Sequence, residues 1–257
     1  MRLEILGLRV GSPLGAGCPS YAVSGDGGTL LLDCGPGALD ALWRSGLIGR
    51  LDGIVVSHMH QDHMLDLVPF SNGVTREALH ERFGEHRRIP LHVPRETGRR
   101  VLTEVIAALG SDPGGVDESF DLHEYDDDGP VRVSGFEVTF APTRHTAPCY
   151  AMRVTDGTAT LLYGADGAYT EALVRHTSRA DLALLEATYL DDGPELAEHG
   201  HMNGEQAAEV AREAGARRLV LTHVMPFDEE NAENLRRARA RFDGPVDLAT
   251  SGAIFDF

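Results

Sequence analysis

Four side chains able to bind a metal ion crowd the run Ser57-His58-Met59-His60-Gln61-Asp62-His63: three histidines and one aspartate. Imidazole and carboxylate donors suit zinc, with manganese or iron as substitutes in the same set. His58 and His60 stand two apart in an extended turn and can point into one coordination sphere, as alternate strand residues do. Asp62 and His63 then fall at a helix start and can serve a second sphere. A histidine-rich surface loop is the plainer account, but the run follows Gly53 to Ser57, an apolar stretch bounded by turn residues that reads as a buried strand. One cluster cannot complete two sites. His145, Asp166 and His223 are the expected remainder, each lying just past the end of a predicted strand, at the edge where open α/β sheets build their sites.

The elements that must position these residues alternate along the chain, as in an α/β protein. Strands are expected at Leu3 to Leu8, Tyr21 to Ser24 and Thr29 to Asp33, with a helix at Ala38 to Ser45. Val131 to Phe140 reads as a hairpin turning at Ser134-Gly135. Further strands fall at Cys149 to Thr155, Ala159 to Gly164, Leu182 to Glu186 and Leu219 to Thr222. Asn203 with Gln206 three residues on is a capping-box start for a helix that stops at Gly215. A last helix carries Asp228, Glu229 and Glu230 at its start and Arg236, Arg237, Arg239 and Arg241 toward its end, in keeping with the helix dipole and with a solvated face.

Composition narrows the chemistry. The 257 residues hold 40 acidic against 23 basic side chains, a net charge of -17, and every basic residue is arginine. With no lysine, Schiff-base chemistry and a P-loop are excluded. The acidity disfavours grip on extended nucleic acid by counterion release. No run approaches the roughly 18 apolar residues of a membrane span, and Met1 to Val10 lacks a signal-peptide core. Three cysteines, Cys18, Cys34 and Cys149, without paired spacing fit a reducing compartment. A cytoplasmic protein with no membrane partner is expected. Between Arg76 and Arg100 stand seven arginines against four glutamates, and between Ser111 and Pro130 eight acids and no base. These read as two surface segments, or alternatively as an arginine-bearing lip over an anion site.

The pattern His-x-His-x-Asp-His, followed by a lone His, a lone Asp and a final His, resembles the metallo-β-lactamase fold superfamily. Leu32-Asp33-Cys34-Gly35-Pro36-Gly37, Glu186-Ala187-Thr188 and His201-Met202-Asn203-Gly204-Glu205-Gln206-Ala207-Ala208 ahead of Leu221-Thr222-His223 are most similar to its RNase Z-like branch, which includes atypical class II cyclic nucleotide phosphodiesterases. The resemblance covers nearly the whole chain. It implies a single α/β domain over residues 1–257, a four-layer αββα sandwich with two Zn2+ (or Mn2+ or Fe) at one edge. His58, His60 and His145 would hold one ion, Asp62, His63 and His223 the other, and Asp166 would bridge. Water between ions about 3.5–4 Å apart then becomes a nucleophile near neutral pH. Asp62, His201 and Glu186 are the residues implied for the chemical step: His201 is the candidate general acid, preferred to His199, and Glu186 orients it. Cys34 and Cys149 read as packing. Asp66 reads either as a brace for a metal-bound histidine or as a helix-surface acid.

Departures from the family pattern bear on the substrate. The tRNA-processing members carry a long glycine- and proline-rich arm and basic surfaces; here Asp112-Pro113-Gly114-Gly115 is short and set among acids, and Gly11 to Ser20 lacks arginine. A small-molecule phosphodiester such as a cyclic nucleotide is therefore expected. The rival is an acyl hydrolase on the same fold (lactonase, thioesterase, glyoxalase II-like enzyme or β-lactamase), groups that often show His-Thr-Pro-Gly-His where this chain reads His145-Thr146-Ala147-Pro148-Cys149. A metal-free binding module would leave seven ligand-type residues without a purpose. The resemblance also implies a homodimer.

Overall fold

Alternation along the early strands sends neighbouring side chains to two different cores. The computed structural model describes residues 1–84, 87–191 and 199–257. Its strands, in chain order, are β1 (Arg2–Gly7), β2 (Ser20–Gly25), β3 (Gly28–Leu32), β4 (Leu51–Val55), β5 (Ile89–Pro94), β6 (Phe120–Tyr125), β7 (Val131–Val133), β8 (Phe136–Pro142), β9 (Tyr150–Thr155), β10 (Thr160–Tyr163), β11 (Leu182–Glu186), β12 (Leu219–Thr222), β13 (Val246–Leu248) and β14 (Ile254–Asp256). They form two seven-stranded sheets, ordered β14-β1-β2-β3-β4-β5-β6 and β13-β12-β11-β10-β9-β8-β7. Leu30, Leu32 and Val55 face the opposite sheet, whereas Leu31, Ile54 and Val56 face outward onto Leu42 and Leu102 of the helices Ala38–Ser45 and Gly98–Ala108. On the far side, Ala207, Ala208 and Ala211 of the helix Gly204–Ala214 cover the second sheet. This is the helix-sheet-sheet-helix order of an αββα sandwich. β11 is buried along its whole length, as a parallel strand covered on both faces must be. Among the described residues no helix is long and apolar enough to cross a membrane.

The expected helix at Ala38–Ser45 and strands at Leu182–Glu186 and Leu219–Thr222 appear with those bounds. The capping box at Asn203 is complete, and Gly215 ends its helix in the left-handed region. The basic and acidic segments between residues 76 and 130 answer each other. Arg88 pairs with Asp121 at 2.9 Å, Arg95 with Asp126 at 2.6 Å, Arg99 with Asp117 at 3.7 Å, and Arg76 with Glu118. Arg87 binds Asp52, Arg100 binds Glu104, and Arg82 lies over the Trp43 ring. The idea of an arginine lip over an anion site is thereby corrected: six of the seven arginines pair with neighbouring carboxylates, and Arg82 packs on Trp43. Glu85, counted in the basic segment, lies outside the described residues.

β5 and β6 bring His92 against His123, rings stacked at 5.0 Å. Burial, reinforced by His123, pulls the His92 imidazole down to about 4. The folded state therefore refuses a proton that the unfolded chain accepts below about 6.5. Stability should be full above that pH and fall by about 2 kcal/mol as pH drops toward 4, the full shift being discounted for partial solvent screening. Urea denaturation of the wild type and His92→Leu at pH 7.5 and pH 4.5 checks this; an equal acid loss in both would refute it.

Candidate metal centre

The C-terminal ends of β3, β4, β8, β10, β11 and β12 converge on one edge of the sandwich, and every sequence-predicted ligand leaves from one of those ends. Backbone geometry there is unusual. Among the described residues five non-glycines have positive φ, and Asp33 (57°), Ala165 (51°) and His223 (50°) are three of them. Such residues cost about 1–3 kcal/mol each and persist where the surroundings fix them, often at functional sites. Gly35 is needed for a different reason: a Cβ there would lie 1.9 Å from the Asp62 carbonyl oxygen. Only glycine lets the turn after β3 pass beneath the helix start that presents Asp62.

The structure brings together all seven predicted ligands, in two adjoining groups with Asp166 near both. His58, His60, His145 and Asp166 form one, and Asp62, His63 and His223 the other, with Asp166 also beside His201 and His223. Asp166 Oδ2 lies 3.3 Å from His223 Nε2, 3.4 Å from His63 Nε2, 3.7 Å from His58 Nε2 and 3.8 Å from His145 Nε2. His63 Nε2 and His223 Nε2 are 3.3 Å apart, and His60 Nδ1 and His145 Nε2 3.1 Å. Asp62 Oδ2 is 3.5 Å from His223 Nε2 and is aimed by the Gly11 N–H, which donates to it at 2.7 Å. Two donors held 2.0–2.2 Å from one tetrahedral ion sit about 3.3–3.6 Å apart, so this is the spacing of coordination edges.

Two further observations test the fit to divalent cations. His58 Nε2 and Asp166 Oδ1 are buried without hydrogen-bond partners, the state of lone pairs aimed at an ion. Electrostatics agree. Burial holds the His58, His60 and His145 imidazoles below their ordinary range, hence neutral and able to donate a lone pair. His63 is pushed the other way: burial opposes its charge, but the Asp166 and Asp33 carboxylates override it, so the second group favours positive charge. Burial likewise works against the Asp166 carboxylate, and His223 and His63 overcome it, holding the acid well below the usual range. The donor set fits divalent metal.

Behind the ligands, four of the five histidines have their other ring nitrogen engaged. His63 Nδ1–H donates to Asp33 at 2.7 Å, His58 Nδ1–H to Ser57 Oγ at 3.0 Å, His145 Nδ1–H to the Gly200 carbonyl at 3.0 Å, and His223 Nδ1–H to Thr188 Oγ1 at 2.8 Å. These proton positions follow from what each partner can accept. Asp33, Ser57 and Thr188 stand within the sequence motifs, but the pattern alone assigns them no role. The available signals were a carboxylate ending the apolar run Leu30-Leu31-Leu32 and hydroxyls beside histidine or glutamate at strand ends.

His201 Nδ1–H donates to Glu186 at 3.0 and 3.1 Å, and its ring stacks on His223 at 5.5 Å. Burial disfavours its charge, yet Glu186 pushes it up to about 9. Glu186 is itself fixed by the Gly167 and Met202 N–H groups at 2.7 and 3.1 Å. His199 is exposed. Asp66 does not brace a ligand: it accepts from the Gly37 and Leu39 N–H groups at 3.0 and 2.9 Å, capping the helix Ala38–Ser45. Cys34 and Cys149 are buried free thiols, the latter donating to the Asp166 carbonyl at 3.3 Å.

Known proteins bear on this arrangement. A model of the β-lactamase superfamily domain matches residues 29–224. The probable metallo-hydrolase YhfI of Bacillus subtilis is 31% identical over 262 residues, covering 100% of both chains. Its crystal structure superposes with a TM-score of 0.86 at 27% identity, over 99% of this chain and 98% of that one. A ribonuclease Z of Myxococcus xanthus is 30% identical over 296 residues, spanning 98% of this chain and 96% of its own. The structure of a diphosphatase from the PhnP family shares the fold, with a TM-score of 0.73 at 22% identity over 100% of this chain and 97% of that one.

Proposed function

The chain belongs to the β-lactamase superfamily and is a metallo-hydrolase of that fold, and within it we propose a dinuclear, zinc-dependent hydrolase of a small phosphodiester, with a cyclic nucleotide as the most specific candidate. The observation that carries the reading is His201, held by Glu186 with its Nδ1 engaged and its ring beside His223. Alkoxide expelled from phosphorus needs a proton, and an imidazolium whose partner keeps it charged supplies one from Nε2.

The chain's own residues divide the work. His58, His60 and His145 would hold one ion, Asp62, His63 and His223 the other, with Asp166 facing both. Such a pair lowers the pKa of water and neutralises charge gathering on phosphoryl oxygens. Gly11 aims Asp62, and Asp33, Ser57, Thr188 and Gly200 fix the ring orientations. Glu186 keeps His201 turned toward the cluster and loaded with its proton.

Phosphorus chemistry is favoured over acyl chemistry by the relative named a ribonuclease at 30% identity. A small substrate is favoured over an extended one by the charge of -17 and by arginines already paired with acids. The test is a side-by-side assay of bis-aryl phosphate, cyclic nucleotides, a tRNA precursor, a lactone, a thioester and a β-lactam with zinc- and manganese-loaded protein. Turnover of the aryl phosphate and a cyclic nucleotide is expected. Turnover of only the acyl substrates would reverse the assignment of bond type, and preference for the tRNA precursor would reverse that of substrate size.

A further inference from the structure

Two buried carboxylates lie behind the ligand cluster, and each reaches two histidines by the same pair of routes. Asp33, at the end of β3, accepts directly from His63 Nδ1–H at 2.7 Å and also from Ser57 Oγ–H at 2.8 Å, while Ser57 Oγ accepts from His58 Nδ1–H at 3.0 Å. Glu186, at the end of β11, accepts directly from His201 Nδ1–H at 3.0 Å and also from Thr188 Oγ1–H at 2.6 Å, while Thr188 Oγ1 accepts from His223 Nδ1–H at 2.8 Å. The chain histidine, hydroxyl, carboxylate thus occurs twice, on different sheets, once behind each group of ligands.

We propose that Ser57 and Thr188 are positioning residues that relay a buried carboxylate to one metal-facing histidine each, Ser57 to His58 and Thr188 to His223. Asp33 then serves both ligand spheres, and Glu186 joins the second sphere to His201. The argument is one of proton count. A hydroxyl has a single proton, and a carboxylate can only accept. Once that proton is committed to the carboxylate, the hydroxyl oxygen can only accept from the ring nitrogen facing it. That nitrogen must carry hydrogen, and the lone pair is forced onto Nε2, the atom turned to the cluster.

Each hydroxyl is also locked. Asp33 Oδ1 takes the Ser57 N–H at 2.6 Å while Oδ2 takes its Oγ–H, so both polar groups of Ser57 are clamped by one side chain. Asp33 is steadied in turn by Tyr163 Oη–H at 2.6 Å. Thr188 Oγ1 has a second acceptor in the His223 carbonyl at 3.0 Å, but the shorter contact, at 2.6 Å, is to the Glu186 side chain. Ser57 and Thr188 are buried, 0% and 2% exposed, so solvent cannot replace either hydroxyl. If they merely satisfied buried polar groups, their loss would lower stability without choosing between spheres.

This inference rests on the two-metal reading above, and the experiment separates the two. Crystals of the full chain are grown at limiting zinc, the occupancy of each sphere is read from anomalous scattering, and affinities are measured by chelator competition in solution. Ser57→Ala should weaken the His58/His60/His145 sphere by about 10–100-fold, the usual cost of losing a partner behind a metal-binding histidine, and leave the other unchanged. Thr188→Val, which keeps the shape without the hydroxyl, should do the reverse, and Thr188→Ser should restore wild-type affinity. Wild-type behaviour in both hydroxyl-free variants, or equal loss from both spheres, would overturn the relay. If Ser57→Ala does not fold, the Thr188→Val and Thr188→Ser pair decides. A wild type that takes up no zinc would instead overturn the two-metal reading itself.

Discussion

Asp166→Ala should lose metal from both spheres at once and activity with it. Its Oδ2 stands between His63 and His223 on one side and His58 and His145 on the other, 3.3–3.8 Å from all four. Among the described residues it is the one carboxylate facing both groups, and it is 2% exposed. Removing one partner from a buried charged cluster costs about 3–5 kcal/mol. Expressed as affinity, that is about a hundred- to several-thousand-fold per ion. The four imidazoles it faces would then meet the cations with Asp62 as the remaining carboxylate in the ligand groups. Metal content after dialysis, together with chelator sensitivity of the melting temperature, checks the expectation: the wild type should melt lower with chelator, the variant should not respond. A variant that keeps two equivalents of zinc at wild-type affinity would remove Asp166 from the shared position.

How far the sequence foretold this centre depends on what each residue does. Ligands were legible because imidazoles and carboxylates just after apolar runs have few reasons to be there unless they meet a cation, and strand ends in an α/β sheet share an edge. The residues behind them were not. Ser57 and Thr188 are ordinary strand-end hydroxyls in composition, and only the fold shows that one faces His58 and the other His223. Asp33 stands 24 residues before Ser57 and 130 before Tyr163, contacts that no local pattern encodes. Asp66 was open to two readings because one turn of helix separates it from Asp62, and the turn that carries Gly37, which it caps, is set only by tertiary packing.

Strands were legible where burial on both faces makes a continuous apolar run, as in β11 and β12, whose bounds matched. β5 and β6 were missed. β5 begins beside Arg87-Arg88 and contains Pro90 and Pro94, and β6 is an edge strand with a single partner that tolerates Asp121, His123 and Glu124. Their charges looked like surface segments, and they are; the pairing that makes them strands is the parallel register from Ile89 and Phe120 to Pro94 and Tyr125.

His201→Ala, by contrast, should keep both metal equivalents and lose turnover. His201 borders the cluster beside Asp166, His223 and His145, and its Nδ1 is committed to Glu186. General acid catalysis is typically worth about 10²–10⁴-fold, so kcat should fall by that amount with KM and zinc affinity little changed. The loss should depend on the leaving group. A p-nitrophenolate leaves without help, whereas the alkoxide of a nucleotide ribose needs the proton; the variant should therefore be far less impaired on bis-p-nitrophenyl phosphate than on a cyclic nucleotide. Glu186→Gln should reproduce part of this defect by withdrawing the charge that holds the His201 proton, the carboxylate that now pushes it up to about 9. Because Glu186 also receives Thr188 and the Gly167 and Met202 N–H groups, that variant should lose stability as well. Only in His201→Ala are turnover and metal binding cleanly separated. Equal metal loss in His201→Ala and Asp166→Ala would show that His201 is a ligand and not the acid, and the proton would then have to come from another group.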